Sequence, residues 1–426
     1  MDFSVEPEFA RRMDADDPLA ALRERFVIHD PDEIYLDGNS LGRLPRPVMD
    51  ALRDAVERQW GQRLIRGWNE GWIHLPRRLG ERIAPLIGAQ PHEVLVSEGT
   101  SINLFKLALA ALRVRPGRHK IVSDVFNFPG DLYILQGIVD LLGEEYRLEL
   151  IPSRDGVHIH PDDVAAAIDE DTALVALTHV AFKSAFMYDM QAVTEQAHQA
   201  GALMLWDLCH SVGAVPLELN ACDVDLAVGC TYKYLNGGPG SPAFLYVRAD
   251  LISQLQSPLW GWFAAARPFD FDLDFIPVQD ISRFRAGTIP VLSMLALEAS
   301  LDVFSGVDMN ALRARSVQLS EYLLYLADQW LLPLGFEVGS PRDPARRGSH
   351  ISLRHSEGFR ITRALIEAPP PKVRVIPDFR APDNIRLGIS PLYTTFEEIY
   401  RALSRLREIV ETGEYEAYSA ERQAVT

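Results

Sequence analysis

The sequence is short of cysteine. Its 426 residues hold three, Cys209, Cys222 and Cys230. An odd number without C-x-x-C spacing excludes both a disulfide framework and a cysteine-rich zinc site. Positive charge is also scarce: 42 Lys and Arg stand against 59 Asp and Glu, a net charge of −17. Such a surface repels a phosphate backbone, so no nucleic-acid partner is expected. No run of 18 uncharged apolar residues occurs, so no membrane-spanning helix is expected. The opening stretch MDFSVEPEFARRMDADDPL has neither a basic leader nor an apolar core, unlike a secretory signal. Internal repeats and low-complexity tracts are missing. These absences point to a cytoplasmic, soluble protein that holds no metal.

What is present is a long chain with ordinary apolar content, 47%, enough for two or more domains around large cores. Residues 1–50 read as helical or irregular and contain the turn-rich YLDGNSLGRLPRP. Ala51 to Gly67 has helical periodicity, and the aromatic stretch WNEGWIHLP follows. From about residue 92, short apolar runs alternate with helical segments. The expected strands are Val94–Val96, Lys120–Asp124, Leu174–Thr178, Leu203–Asp207, Leu226–Gly229 and Ala243–Val247. The helices between and after them include Ser101–Leu112, Asp131–Leu142, Met190–Ala200 and Pro290–Phe304. This alternation predicts βαβ units and an α/β fold with a mainly parallel sheet. From about residue 306 the texture changes: a long amphipathic helix (Asn310–Trp330), short strands (Gly348–Leu353 and Ile385–Ile389) and a last helix (Phe396–Thr412) read as a smaller α+β domain.

Ligands of parallel sheets bind beyond the carboxyl ends of the strands, so Thr100, Asp131, Thr178, Asp207 and Lys233 are the polar residues to examine. Lys233 lies in DLAVGCTYKYLNGGPGS, between two apolar strands and before three glycines in four positions. Burial disfavours the charged form of an amine and leaves the form that attacks a carbonyl to make an imine. By itself the stretch also reads as a glycine-rich hairpin with a surface lysine. Asp207 closes an apolar strand in LMLWDLCHS and needs a cation or donors there; His210 stands three residues on, and the two also read as a loop-tying pair. In SEGTSINLF a strand ends and a helix begins at Thr100 and Ser101, either an anion-binding helix start or a plain N-cap; the GTIP stretch with Thr288 offers the same choice. Phe128 and Asp131 in FNFPGD place an aromatic ring and a carboxylate at another strand end. Arg386, in IRLGISPLY, suits either a carboxylate clamp or a structural salt bridge. An imine-forming lysine, an aspartate about 26 residues earlier, an aromatic stacker, hydroxyl-rich helix starts and a distal arginine together meet the demands of pyridoxal 5′-phosphate.

The sequence resembles the kynureninases, a family of fold type I (class V aminotransferase-like) pyridoxal phosphate enzymes. The resemblance rests on YLDGNSLGRLP, TSINLFK, FNFPGDLYI, LWDLCHSVGA, GCTYKYLNGGPGSPAFLYV, GWFA, RFRAGTIPV and RLGISPLYTTFEEI, in that order along most of the chain. It implies a large cofactor-binding α/β domain over 51–305 with a mainly parallel seven-stranded sheet. It also implies a small α+β domain over 306–426, with residues 1–50 packed against it. It implies Lys233 as the Schiff-base lysine, Asp207 on the pyridine nitrogen and Phe128 stacked on the ring. Thr100, Ser101, Asp131, Thr178 and His210 become cofactor or substrate contacts. Tyr232 would touch the phosphate and serve as the acid-base group, its acidity raised by that phosphate. Trp262 and Thr288 would reach the phosphate from the second subunit of a homodimer. Arg386 would hold the substrate α-carboxylate, with Ser40 and Trp68 lining the substrate pocket. Thr288, Gly287 and Trp68 stand where some members carry Asn, Ser and His, a pattern similar to that of bacterial members preferring L-kynurenine over its 3-hydroxy derivative. Cys209 stands where alanine is more usual and reads as packing, with an exposed thiol near the cofactor as the alternative.

The implied reaction is hydrolysis of the Cβ–Cγ bond of L-kynurenine to anthranilate and L-alanine. Another class V enzyme, such as an aminotransferase, is the rival reading. A cysteine desulfurase is disfavoured because no cysteine follows Cys230. A non-catalytic cofactor-binding regulator is disfavoured by the −17 charge and by the lack of a basic DNA-binding module.

Overall fold

The computed structural model describes residues 2–421. The chain divides into two compact units. The larger comprises Pro47–Phe182 and Tyr188–Asp302. The smaller comprises the chain up to Arg46, Lys183–Met187 and the chain from Val303 onward.

The larger unit is built on a seven-stranded sheet in the order Val94–Val96, Phe244–Val247, Leu226–Gly229, Leu203–Asp207, Thr172–Thr178, Lys120–Asp124, Arg147–Ile151. Only Phe244–Val247 runs against its neighbours; the other pairs are parallel. The central strands are buried along their whole length, as continuous apolar runs such as ALVAL require. The helix Thr100–Arg113 buries Leu104, Leu107, Ala108 and Ala111, spaced for one helical face, in the same core as Leu95, Leu174, Leu205 and Leu226. Each such leucine contributes about 1.5–3 kcal/mol.

Six of the seven strands match the sequence expectation. The seventh, Arg147–Ile151, is an edge strand whose residues are mostly exposed. Its RLELI sequence has the charges that protect a sheet edge and lacks the apolar run that marked the others. Helical periodicity over 51–67 resolves differently as well. The α-helix Arg46–Asp54 gives way to a wide turn over Ala55–Arg63 and a tight 3-10 turn over Leu64–Trp68. Leu64 at φ +54° breaks the helix between them.

In the smaller unit a four-stranded antiparallel sheet (Asp378–Arg380, Asn384–Gly388, His350–Arg354, Glu337–Val338) is covered by the helices Met309–Trp330 and Phe396–Glu411. Thr395 and Glu398 form a reciprocal capping box at the start of the last helix. Phe9, Ile34 and Leu36 join this core, and Glu33–Tyr35 pairs in parallel with Arg374–Ile376. Residues 183–187 lie in this unit, although they fall inside the range expected for the large domain. Phe186 bridges Arg347, and the amides of Met187 and Gly348 donate to Arg346 and Ala185. Among the described residues no helix is long and apolar enough to cross a membrane.

Candidate active site

Register places the chemistry. Asp207 is the last residue of its strand, pairs with Thr178, the last residue of the next, and lies opposite Val228 on the other side. Lys233 follows four residues after the end of Leu226–Gly229. The carboxyl ends of three adjacent parallel strands therefore carry Thr178, Asp207 and Lys233 to one side of the sheet.

Lys233 is half-buried, and its Nζ lies 2.9 Å from His210 Nε2. The same ammonium stands 5.9 Å from the centre of the Tyr232 ring. Asp207 is buried; its Oδ1 accepts the Cys209 amide at 2.8 Å and its Oδ2 meets the Thr178 hydroxyl at 3.4 Å. Asp131 sits in the first turn of the helix Pro129–Leu142, buried, with Oδ2 lacking any hydrogen-bond partner among the described residues. Burial, and then the Asp207 charge, push its carboxyl well above the usual carboxylate range, against the pull of Lys233.

Phe128 caps that helix. Phe128 is 45% exposed and its ring meets Phe182 edge-on, 5.4 Å between centres, which suits a ring that stacks on a planar ligand. Thr100 begins the helix Thr100–Arg113, which has no side-chain cap, and its hydroxyl lies 3.9 Å from Cys209 Sγ; Ser101 follows, exposed. The glycine-rich turn after Lys233 needs its glycines: Gly238 and Gly240 adopt φ of +89° and +72°, and a Cβ on Gly237 would stand 2.5 Å from Ser241 Oγ.

Burial, then Cys230, Cys209 and Asp207, push the Tyr232 phenol up within the chain itself, so a gain in acidity would have to come from the phosphate. Cys209 is no open thiol. It is buried, its sulfur accepts the Cys230 amide at 3.1 Å, and the Cys230 side chain and burial push it up.

Among the described residues no contact joins Trp262 or Thr288 to this cluster. Trp262 packs on the buried Phe263 and lies in an exposed aromatic patch with Phe269 and Phe271, and Thr288 is exposed. Trp68 stacks on Phe263 at 5.7 Å and meets Trp72 edge-on.

Arg386 and Ser40 are brought together in the smaller unit. Arg386 is buried in the strand Asn384–Gly388; it donates to the Ser40 hydroxyl at 2.6 Å and to Asp378, with Asp37 at 3.9 Å. Sequence reasoning missed both acids. Burial, then Asp378, raise the Asp37 carboxyl to about 6. The signal for Asp378 was the two-apart spacing of PDFR opposite IRLG, an acid paired across the strands with Arg386.

The Aminotransferase class-V family model matches residues 34–355, and the Kynureninase C-terminal domain model matches residues 312–406. A protein named kynureninase from Pseudomonas fluorescens is 45% identical over 404 residues, 94% of this chain and 94% of that relative. Among solved structures, an apo cysteine desulfurase from Thermococcus onnurineus NA1 superposes with a TM-score of 0.77 at 19% identity, over 97% of this chain and all of that one. A C-DES variant with glycine covalently linked to its PLP cofactor superposes with a TM-score of 0.76 at 18% identity, over 89% of this chain and 97% of that one. At those identities the structures show the shared fold. The near-full-length relative shows more: this chain belongs to the kynureninase family of class V aminotransferase-like proteins.

Proposed function

We propose that this chain hydrolyses the Cβ–Cγ bond of L-kynurenine to anthranilate and L-alanine in tryptophan breakdown, with pyridoxal 5′-phosphate as cofactor. The observation that carries this reading is the 45% identity to a kynureninase over 94% of both chains. The residues fit the cofactor. Among the described residues Asp131 Oδ2 is a buried acceptor without a partner, the helix start at Thr100 and Ser101 has no side-chain cap, and the buried Asp207 carboxyl meets the Cys209 amide and the Thr178 hydroxyl. Lys233, Asp207, Phe128, Thr100, Ser101, Asp131, Thr178, His210 and Tyr232 would hold it, with Trp262 and Thr288 reaching in from the second subunit of a cytoplasmic homodimer.

When bound, pyridoxal phosphate supplies an aldehyde for the substrate amine and a ring that stores the electron pair released at Cα. Asp207 would hold a proton on the ring nitrogen and so favour that storage. Lys233 would be the group that takes the Cα proton. His210 shares that proton through the 2.9 Å contact with Nζ. Water adds to the γ-carbonyl, and the neutral phenol of Tyr232 moves the protons that let the Cβ–Cγ bond break. In the smaller unit Arg386 and Ser40 would suit a carboxylate, and in the larger unit the Trp68 face would suit an aryl ring. One water is consumed for each anthranilate and alanine formed.

Equal molar yields of anthranilate and alanine from kynurenine are the expected result. Glutamate- or pyruvate-forming chemistry in their place would favour the aminotransferase reading. The desulfurase reading fails on chemistry, since no cysteine follows Cys230 and both Cys209 and Cys230 are buried.

A further inference from the structure

Behind the helix start lies a buried charged cluster that the reaction does not use. Lys106 has no exposed side-chain surface; its Nζ donates to the Phe284 carbonyl at 2.6 Å and to Glu98. The Glu98 carboxylate also accepts the Ser97 hydroxyl and the Ala286 amide, the latter at 3.1 Å. Glu98 itself holds φ +44°, a conformation costly for a residue with a side chain, immediately before Gly99 caps the helix. Asn103 ties the first turn back to the Ser97 carbonyl at 2.7 Å.

The segment gripped by this cluster, 284–286, carries two further attachments. Arg285 is buried and stacks 4.8 Å over the Phe263 ring, and among the described residues its Nε and Nη2 have no hydrogen-bond partner. Gly261 abuts Ala286 so closely that a Cβ there would stand 2.1 Å from its carbonyl oxygen. Trp262 and Thr288 are therefore mounted on one body, and Glu98 and Lys106 fasten that body to the helix start bearing Thr100 and Ser101.

We propose that Glu98 and Lys106 are positioning residues that fix the offset between the contacts a subunit makes to its own cofactor and those it lends to its partner's. This rests on the reading that Thr100 and Ser101 serve their own site while Trp262 and Thr288 serve the other. A buried lysine bonded at once to a carboxylate and a carbonyl of the lending segment leaves that segment little freedom. Its removal frees the segment and strands the Glu98 charge.

Two hybrid dimers of identical composition test this, read by pyridoxal phosphate titration of the cofactor-free protein. In the first, a Lys106→Met chain pairs with a Lys233→Ala chain, and the one lysine-bearing site receives an intact lending segment. In the second, a Lys106→Met/Lys233→Ala chain pairs with an unaltered chain, and the one lysine-bearing site receives the loosened segment. The first is expected to bind the cofactor as the parent does, and the second about ten-fold more weakly. Equal affinities in the two hybrids overturn the proposal; if Lys106→Met does not fold, Glu98→Gln replaces it in the same pair. A parent that is monomeric or binds no cofactor overturns the underlying reading and this inference with it, whereas equal hybrids of a cofactor-binding dimer overturn the inference alone.

Discussion

Lys233 Nζ lies 2.9 Å from His210 Nε2, and the two side chains arise from segments that leave neighbouring parallel strands. The strand register sets that distance: Asp207 pairs opposite Val228, so the loops carrying His210 and Lys233 start side by side. A lysine so placed has a proton partner beside it and a carboxylate cluster behind it.

Lys233→Ala is expected to abolish the yellow absorbance of the purified protein and to lower kynurenine turnover by about 10³-fold or more, since the group that moves the Cα proton is gone. An intact chromophore in that variant would refute the assignment of Lys233.

Tyr232→Phe tests the acid-base role. Loss of the phenol proton should reduce kcat by about 10²-fold, the low end of the range for a positioned acid or base. Turnover within a few-fold of the parent would remove Tyr232 from the mechanism.

Arg386→Gln tests the carboxylate clamp. Replacing the guanidinium should raise KM for kynurenine about 10²-fold while kcat falls less, the pattern of lost substrate binding. An unchanged KM would make Arg386 a structural partner of Asp378.

Asp37 carries a pH prediction for the smaller unit. Its folded pKa is raised to about 6, above the 3.8 of an ordinary aspartate, chiefly by burial. The folded state therefore binds the proton more tightly, and this stabilisation, complete below pH 4, is lost as pH rises through 6. Asp37→Asn should melt higher than the parent at pH 8, by about 1–3 kcal/mol of stability, with no gain below pH 4. Thermal melts at the two pH values decide it; an equal effect at both would contradict the assignment.

Much of the fold was legible because the central strands are continuous apolar runs, and Asp207 and Lys233 stood out as charged residues at their ends. Arg147–Ile151 escaped because an edge strand with exposed Arg and Glu has no apolar run to read. The roles proposed for Trp262 and Thr288 are not readable from periodicity, since both are exposed and lie outside the strands and α-helices. Glu98 and Lys106 escaped for another reason: they are eight residues apart on the sequence, and their meaning depends on a segment about 180 residues away. Asp37 and Asp378 were hidden because a carboxylate's partner across a sheet depends on register, which the sequence of one strand does not state.

The most direct measurement is anthranilate fluorescence on mixing the purified yellow protein with L-kynurenine. The account predicts a fluorescence rise that accompanies kynurenine loss and is absent with Lys233→Ala. A cofactor-loaded protein that leaves kynurenine intact, or consumes it without releasing anthranilate, would contradict it.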